Sequence, residues 1–124
     1  MLYAIFCYDS EAAIGTLSRE QDEALISKLA VVQQSFAAQG RLGPVVRLMP
    51  TTSAITVRRG AEPLILDGPF AETKEQLLGF YILECATLED AIDAARQLAR
   101  EHRSGAYEIR PVRTFAANAG DTMA

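Results

Sequence analysis

Two kinds of hydrophobic periodicity divide the chain into strands and helices. Continuous apolar runs from Leu2 to Tyr8 and from Leu77 to Cys85 predict two strands that are buried on both faces. Between these runs, apolar residues recur at spacings of four, three and four, which predicts one face of a helix of about five to six turns. The residues on this face are Leu25, Leu29, Val32 and Phe36.

Local signals mark where this long helix begins and ends. Ser18 and Gln21 have the spacing of a capping box, in which the Ser hydroxyl accepts a backbone hydrogen bond and the Gln side chain reaches back. Gly40 follows the helix, in the position where a left-handed backbone conformation costs least. The preceding segment from Asp9 to Leu17 is predicted to be a loop.

A second helix is predicted to begin at Thr87. Asp90, three residues later, has the position of a short capping partner, and acidic residues in the first turn suit the helix dipole. Ser104 and Gly105 end the segment. The apolar stripe of this helix is predicted to consist of Leu88, Ile92, Ala95 and Ala99.

Shorter strands are predicted in the rest of the chain. Residues 41 to 48 form a strand that Pro44 confines to an edge or to the residues after it. Residues 53 to 59 alternate as a half-exposed strand and connect through a hairpin to residues 64 to 66. A last strand, at 106 to 112, alternates inward and outward residues.

This order of elements corresponds to a ferredoxin-like α+β fold. It reads β-α-β-β-α-β with an inserted hairpin, so that two helices cover one face of an antiparallel sheet. The strands at 2–8 and 77–85 are apolar on both sides, and the other sheet face therefore needs cover as well. A second copy of the same sheet supplies it most simply. We therefore expect a homodimer.

Length, composition and charge limit the number of domains and the kinds of partner that the chain can have. The 124 residues predict one domain, at 1–115, followed by a flexible tail of low complexity at 116–124. A net charge of −4 and the lack of a basic run beyond Arg58-Arg59 argue against nucleic acid as a partner. The apolar run at the start is too short for a signal peptide or a membrane span, so we expect a cytoplasmic protein with no membrane association.

Metal and cofactor chemistry has little support in the sequence. The two cysteines, Cys7 and Cys85, lie in apolar strands without CxxC spacing, and the chain has a single histidine. We expect the cysteines to be reduced core thiols. Since no Gly-rich phosphate loop or metal motif is present either, we expect neither a metal nor another cofactor.

The segment from Leu64 to Glu84 concentrates charged and conformationally restricted residues. Positions 67–69, Asp-Gly-Pro, have the chemistry of a turn. The charged run that follows is typical of a solvated loop. The alternative is that Asp67, Glu72 and Lys74 converge on a cleft.

Two further candidates lie near the C-terminus. His102 continues the stripe of the second helix, and its ordinary interpretation is a partly buried, hydrogen-bonded side chain whose charged form the helix dipole favours. The functional alternative is a catalytic His102 with Asp67 or Glu72 as its partner. Arg110 points away from the core on the last strand and is predicted to meet a carboxylate, from Glu72, a ligand or another subunit.

The string DGPFAETKEQLLGFYILE at 67–84 resembles the signature of the DGPF-domain branch of the YCII-related family. The opening strand, the helix ending at Gly40 and the closing GAYEIRPV also match that layout, over residues 1 to 113. The resemblance implies a ferredoxin-like subunit that dimerises into an α/β barrel, with a cavity at or near the interface. It also implies, for some members, an association with extracytoplasmic-function sigma factors.

More distant relatives imply a His–Asp acid/base pair with the His on the first helix. The helix at 18–39 contains no His here, so that pair does not carry over. The leading hypothesis is a small polar ligand in a sensing or regulatory role, bound near Asp67, Glu72, Lys74 and Arg110. The alternative is an enzyme of the lyase or hydrolase kind that uses His102 with Asp67 or another carboxylate. A third is an interaction module whose partner is another protein, such as a sigma factor.

Overall fold

A computed structural model of the chain describes residues 1 to 117 and shows a mixed α+β fold. Residues 118 to 124, most of the predicted tail, lie outside the described residues. The strands are β1 (Leu2–Asp9), β2 (Leu42–Arg47), β3 (Ile55–Arg58), β4 (Leu64–Asp67), β5 (Gln76–Glu84) and β6 (Ala106–Pro111). The helices are α1 (Glu11–Gly15), α2 (Arg19–Ala38) and α3 (Leu88–Ala99), with a short 3₁₀ helix at Thr51–Ser53.

Four strands form one antiparallel sheet in the order β2-β5-β1-β6. The two longest strands, β1 and β5, lie in the centre, as their two-sided apolar sequences predict. The strands β3 and β4 pair only with each other and form the inserted hairpin. This topology is consistent with the predicted ferredoxin-like arrangement.

One hydrophobic core joins α2 and α3 to one face of the sheet. Tyr3 and Ile5 of β1 lie opposite Leu83 and Tyr81 of β5, and all four are buried. Phe36 is the residue of α2 that is completely buried in this core. Since burial of a large apolar side chain contributes about 1.5–3 kcal/mol, this layer is the main source of stability. The core also contains Cys85, Ala91, Ala94, Ala95 and Leu98.

The predicted apolar stripe of α3 is partly wrong. Leu88 is 49% exposed and Ala99 is also exposed, whereas Ala91, Ala94 and Leu98 are buried. The helix is thus rotated by about one residue from the expected orientation. Its buried face consists mainly of alanines, whose small side chains let the helix backbone approach the sheet closely.

The segment between β1 and α2 is more ordered than the predicted loop. Residues Glu11–Gly15 form α1, and the Ser10 hydroxyl accepts a hydrogen bond from the backbone N–H of Ala13 at its start. The Glu11 carboxylate accepts hydrogen bonds from the backbone N–H and the hydroxyl of Thr51, so that it ties α1 to the 3₁₀ helix before the hairpin. This short helix forms one wall of the cavity described below.

The sheet face opposite the helices is also apolar. Phe6 and Phe80 lie directly opposite each other there, with ring centroids 6.1 Å apart. Val46 continues this layer on β2 and is only partly buried. None of the helices in the described part of the chain combines the length and the apolar character that crossing a bilayer requires.

Candidate functional site

A cavity of about 370 Å³ lies between α1, the first turns of α2 and the loop that joins α3 to β6. Its volume is within the range of sites for small organic molecules. One part of its wall is apolar and comes from Ala13, Ile14, Leu17, Ala24 and Leu25. The polar part comes from Asp9, Thr16, Gln21, Lys28, Glu101, His102, Arg103 and Ser104.

The carboxylate of Asp9 is the most deeply buried charged group at the cavity. It ends β1 and is 6% exposed. The Ser104 hydroxyl donates to both carboxylate oxygens, at 2.9 and 3.1 Å, and the backbone N–H of Ser10 donates to Oδ1 at 2.7 Å. These hydrogen bonds replace the water that a buried carboxylate loses and fix its position.

Gly105 makes this close approach of the loop to Asp9 feasible. Its φ of +88° belongs to the left-handed region that favours glycine. A Cβ atom at this position would lie 2.3 Å from the carbonyl oxygen of Tyr8 and 3.0 Å from the carboxylate carbon of Asp9. The turn at residues 104 and 105 is therefore adapted to the end of β1.

His102 lies three residues beyond the end of α3 and is partly buried beside Asp9. Its Nε2 atom shares a hydrogen bond of 2.8 Å with the hydroxyl of Tyr107, and the two rings meet edge to face. Burial lowers the pKa of His102 from its ordinary value of 6.5, and this effect exceeds the opposing attraction of the Asp9 and Glu101 carboxylates. The imidazole is therefore neutral at pH 7.

The effect of the helix dipole on His102 stays a prediction, because the lowered pKa reflects burial of the ring. The helix ends at Ala99, so the imidazole is not part of its last turn, where the dipole is strongest. Loss of water around the ring has the largest effect on its pKa. The predicted partial burial and hydrogen bonding are confirmed.

A polar network continues from His102 into the core. Tyr107 contacts Cys7 and Tyr81, and the amide of Gln33 on α2 donates to the Tyr81 hydroxyl at 3.2 Å. Burial raises the pKa of Tyr107, and it also raises the pKa of the Cys7 thiol, which the hydrogen bond with Tyr107 partly opposes. The Cys7 thiol and the hydroxyls of Tyr81 and Tyr107 therefore stay protonated and uncharged at neutral pH.

The arrangement as a whole can accept and return a proton. Neutral imidazole is the form of His that acts as a base, and its lowered pKa keeps it in that form at physiological pH. Asp9 supplies a fixed negative charge that stabilises the imidazolium once it forms. Tyr107 holds the ring through Nε2, and His102 lines the cavity.

The sequence-predicted residues other than His102 lie outside this cavity. Asp67, Glu72 and Lys74 are exposed, on β4 and on the connection to β5, and none of them is among the residues that line the cavity. Arg110 lies on the helix-free sheet face, with its guanidinium 5.6 Å from the centre of the Phe6 ring. A ligand site formed by these residues stays a prediction, as does the pairing of His102 with Asp67.

Two of these predicted residues have local partners that explain their positions. Arg110 pairs with the Glu108 carboxylate, two residues before it on the same strand. Gly68 follows Asp67 with a φ of +96°, and the hydroxyl of Thr56 donates to its carbonyl oxygen at 2.8 Å. The unusual φ expected of Gly68 in the turn at 67–69 is therefore confirmed, and the hairpin holds Gly68 in place.

Sequence reasoning missed Asp9 and Ser104. Asp9 was part of a predicted loop and Ser104 was a helix terminator, so neither was considered as a partner of His102. One signal was available, because a carboxylate directly after a strand buried on both faces must enter the interior or end the strand. The pairing of β1 with β6 brings it near His102.

Comparison with known proteins gives the family. The YCII-related domain matches residues 1–116. The chain therefore belongs to the YCII-related domain family. It is 50% identical over 117 residues to the uncharacterized protein R00369 of Rhizobium meliloti (strain 1021), which covers 93% of this chain and 94% of the relative.

Metal binding at the cavity has no support from side-chain geometry. Within residues 1 to 117, no three side chains of the His, Cys, Asp or Glu type are grouped as ligands of one ion. Both cysteines are free thiols, with Cys85 buried and Cys7 partly buried.

Proposed function

We propose that this protein binds a small organic molecule in the cavity beside Asp9 and that His102 exchanges a proton with it. The observation that carries this proposal is a neutral imidazole next to a buried, hydrogen-bonded carboxylate at the wall of a cavity of about 370 Å³. This is the enzyme alternative of the sequence analysis, with Asp9 in the place of the expected carboxylate.

The roles of the individual groups follow from their contacts. His102 is the base, because its pKa lies below neutrality and it borders the cavity. Asp9 is a positioning residue that balances the charge of the imidazolium, and Ser104 holds Asp9. A positioned base of this kind contributes about 10²- to 10⁴-fold to a proton transfer.

The single histidine of the chain makes a direct test of binding feasible. Protein labelled with ¹⁵N-histidine is screened by NMR against a fragment library, and every signal reports on His102 alone. We expect fragments that raise the thermal midpoint to shift the His102 signals in a saturable way. Asp9→Asn weakens these effects, whereas Asp93→Asn on the exposed side of α3 leaves them unchanged. Stabilising fragments that leave the His102 signals unmoved would contradict the proposal.

Proton transfer is tested separately on the fragments that bind. For those with an acidic C–H group, NMR in D₂O measures the exchange of that hydrogen for deuterium. We expect the protein to accelerate this exchange and His102→Gln to reduce the acceleration by at least about 10²-fold. Undiminished exchange in His102→Gln would remove His102 from the chemistry and leave a binding site only.

A second candidate function is docking to another protein through the hairpin. Ile55, Val57 and Ile65 share one face of β3–β4 and are 66%, 56% and 70% exposed. Phe70, whose ring centre lies 5.3 Å from the guanidinium of Arg58, is 74% exposed. Exposed apolar groups of this extent are typical of interaction sites. The DGPFAETKE string next to this hairpin supports membership of the DGPF branch and, through that resemblance, a sigma factor as the partner.

Mutation of the hairpin distinguishes the two candidate functions, proton exchange at His102 and docking to another protein. Replacement of Val57 and Ile65 by Ser removes apolar surface from the hairpin, and neither residue lines the cavity beside His102. On the docking proposal it abolishes recovery of a sigma factor with the protein from native lysate and leaves the His102 spectra unchanged. Recovery of the factor at undiminished yield would count against docking through the hairpin. A ligand site at Asp67, Glu72 and Lys74 predicts instead that Asp67→Asn abolishes stabilisation by polar fragments.

A further inference from the structure

Two positively charged side chains border the cavity, and neither has a partner in the described part of the chain. Lys28 lies on the same face of α2 as Leu25 and Ala24, and Arg103 follows His102 directly in the loop. Both side chains are exposed, so they are located where the cavity opens to solvent. Within residues 1 to 117, neither forms an ion pair or a side-chain hydrogen bond.

The negative groups at the cavity do not neutralise these cations. Asp9 is engaged by the Ser104 hydroxyl and the N–H of Ser10, so its oxygens are committed to the protein. Glu101 also borders the cavity and makes no ion pair with Lys28 or Arg103. The ligand therefore meets two unpaired cations at the entrance and one free carboxylate.

The apolar part of the cavity wall favours a ligand that carries an apolar group. Ile14 of α1, Leu17 of the connection to α2 and Leu25 of α2 supply alkyl groups to the cavity wall. A ligand that places an apolar body against them removes that surface from water. An anion without an apolar body would leave this surface hydrated and would gain only exposed ion pairs, which are weak.

We propose that the cavity selects a small organic anion, such as a carboxylate with an apolar body, whose charged group contacts Lys28 and Arg103. This inference rests on the proposed function, because it names the class of ligand for the same site. The apolar body lies along α1 and α2, and it brings the ligand next to His102. Substrate recognition and proton exchange are then tasks of different residues.

The test compares acids with their neutral amides. Protein labelled with ¹⁵N-histidine is titrated with benzoate and benzamide, and with hexanoate and hexanamide, at low ionic strength and neutral pH. We expect each carboxylate to bind at least about fivefold more tightly than its amide, since exposed ion pairs contribute modestly. Inorganic phosphate, which has the charge without the apolar body, is expected to bind more weakly than either carboxylate.

Variants assign the charge selectivity to particular residues. Lys28→Met and Arg103→Met are each expected to weaken benzoate binding about fivefold and to leave benzamide binding unchanged. Glu101→Gln is expected to tighten benzoate binding, because it removes the free carboxylate from the cavity. Arg100→Met is the matched control, as Arg100 is an exposed arginine outside the cavity lining.

Two negative outcomes have different meanings. If the amides bind as tightly as the acids, or if Arg100→Met weakens benzoate as much as Arg103→Met does, the anion preference is overturned and small-molecule binding in the cavity stands. If neither these compounds nor any stabilising fragment perturbs the His102 signals, the proposed function falls as well.

Discussion

The imidazole of His102 is surrounded by groups that remove water from it without pairing fully with its charge. Asp9 and Glu101 are the carboxylates whose attraction acts on it, and Tyr107 occupies its Nε2 atom. Burial outweighs these carboxylates, so the folded protein prefers the neutral ring. This preference links the charge state of one side chain to the stability of the whole fold.

The pH dependence of stability follows from this lowered pKa. Below the ordinary pKa of 6.5, the unfolded chain binds a proton at His102 that the folded chain still rejects. The contribution of His102 to the free energy of unfolding is therefore complete above pH 6.5 and is lost as the pH falls through the folded-state pKa. We expect urea unfolding from pH 7.5 to 5 to show this decline, and His102→Gln to show a flatter profile.

The comparison isolates His102 because both proteins share every other titrating group. A folded-state pKa measured from the His102 NMR signals gives an independent value. If that pKa is above 6.5, or if the two stability profiles are parallel, desolvation does not control the ring. Urea unfolding at each pH uses one fixed protein concentration, so that any association does not add to the difference.

A functional residue could be predicted from sequence when its residue type is rare in the chain. It could not be predicted when its role depends on contacts with residues far away in the sequence. His102 was identified because it is the one histidine of the chain. Asp9 is separated from it by more than ninety positions, and only the pairing of β1 with β6 brings the two together. The charges of Glu72 and Lys74 are conspicuous in sequence, yet both side chains are exposed.

Features of the helices that depend on neighbouring residues were predicted correctly, whereas a feature that depends on contact with the sheet was not. The capping box of α2 was predicted correctly, because the hydroxyl of Ser18 and the side chain of Gln21 are three residues apart and need no other part of the fold. The buried face of α3 was not, since Leu88 and Leu98 suit two different stripes of the same helix. Contact with the sheet decides between them, and it buries Leu98.

Loss of the α2 cap should destabilise the protein in a measurable way. Ser18→Ala leaves the N–H of Gln21 without its acceptor, and such caps contribute about 1 kcal/mol. We expect the thermal midpoint to fall by about 4 °C for a domain of this size. Ser27→Ala is the matched control, because Ser27 is exposed inside the same helix and alanine is the better helix former there.

Equal destabilisation by Ser18→Ala and Ser27→Ala would show that the capping box does not act as a cap. The His102 signals are recorded for both variants, because α2 also supplies Leu25 and Lys28 to the cavity. A cap that acts only on helix stability lowers the thermal midpoint and leaves those signals in place. The measurement thus separates the stability of α2 from its role at the site.

The fold of the whole chain followed from its hydrophobic pattern more closely than the site did. The positions of β1 and β5 in the centre of the sheet follow from their apolar runs, because only central strands lose water on both faces. The hairpin β3–β4 was predicted from its alternation, but its separation from the main sheet was not. No local pattern encodes which edge a hairpin joins.

The helix-free sheet face is the basis for the last prediction, that two copies associate through it. Phe6, Phe80 and Val46 lie on this face and are only partly buried within one chain. Burial of an aromatic side chain at an interface is strongly favourable, whereas a buried carboxylate without a partner is costly. We therefore expect the wild type to sediment at twice the 13.5 kDa mass of the chain and Phe80→Glu to sediment as a monomer.

A matched control distinguishes this face from any exposed apolar residue. Val31 on α2 is 71% exposed and lies away from the core face of its helix, so Val31→Glu should leave the dimer intact. A wild type that sediments as a monomer at micromolar concentration would end the dimer proposal. If Val31→Glu dissociates the dimer and Phe80→Glu does not, the copies meet through the helices. The sheet face would then need a different partner, and the exposed apolar hairpin would be the first surface to examine.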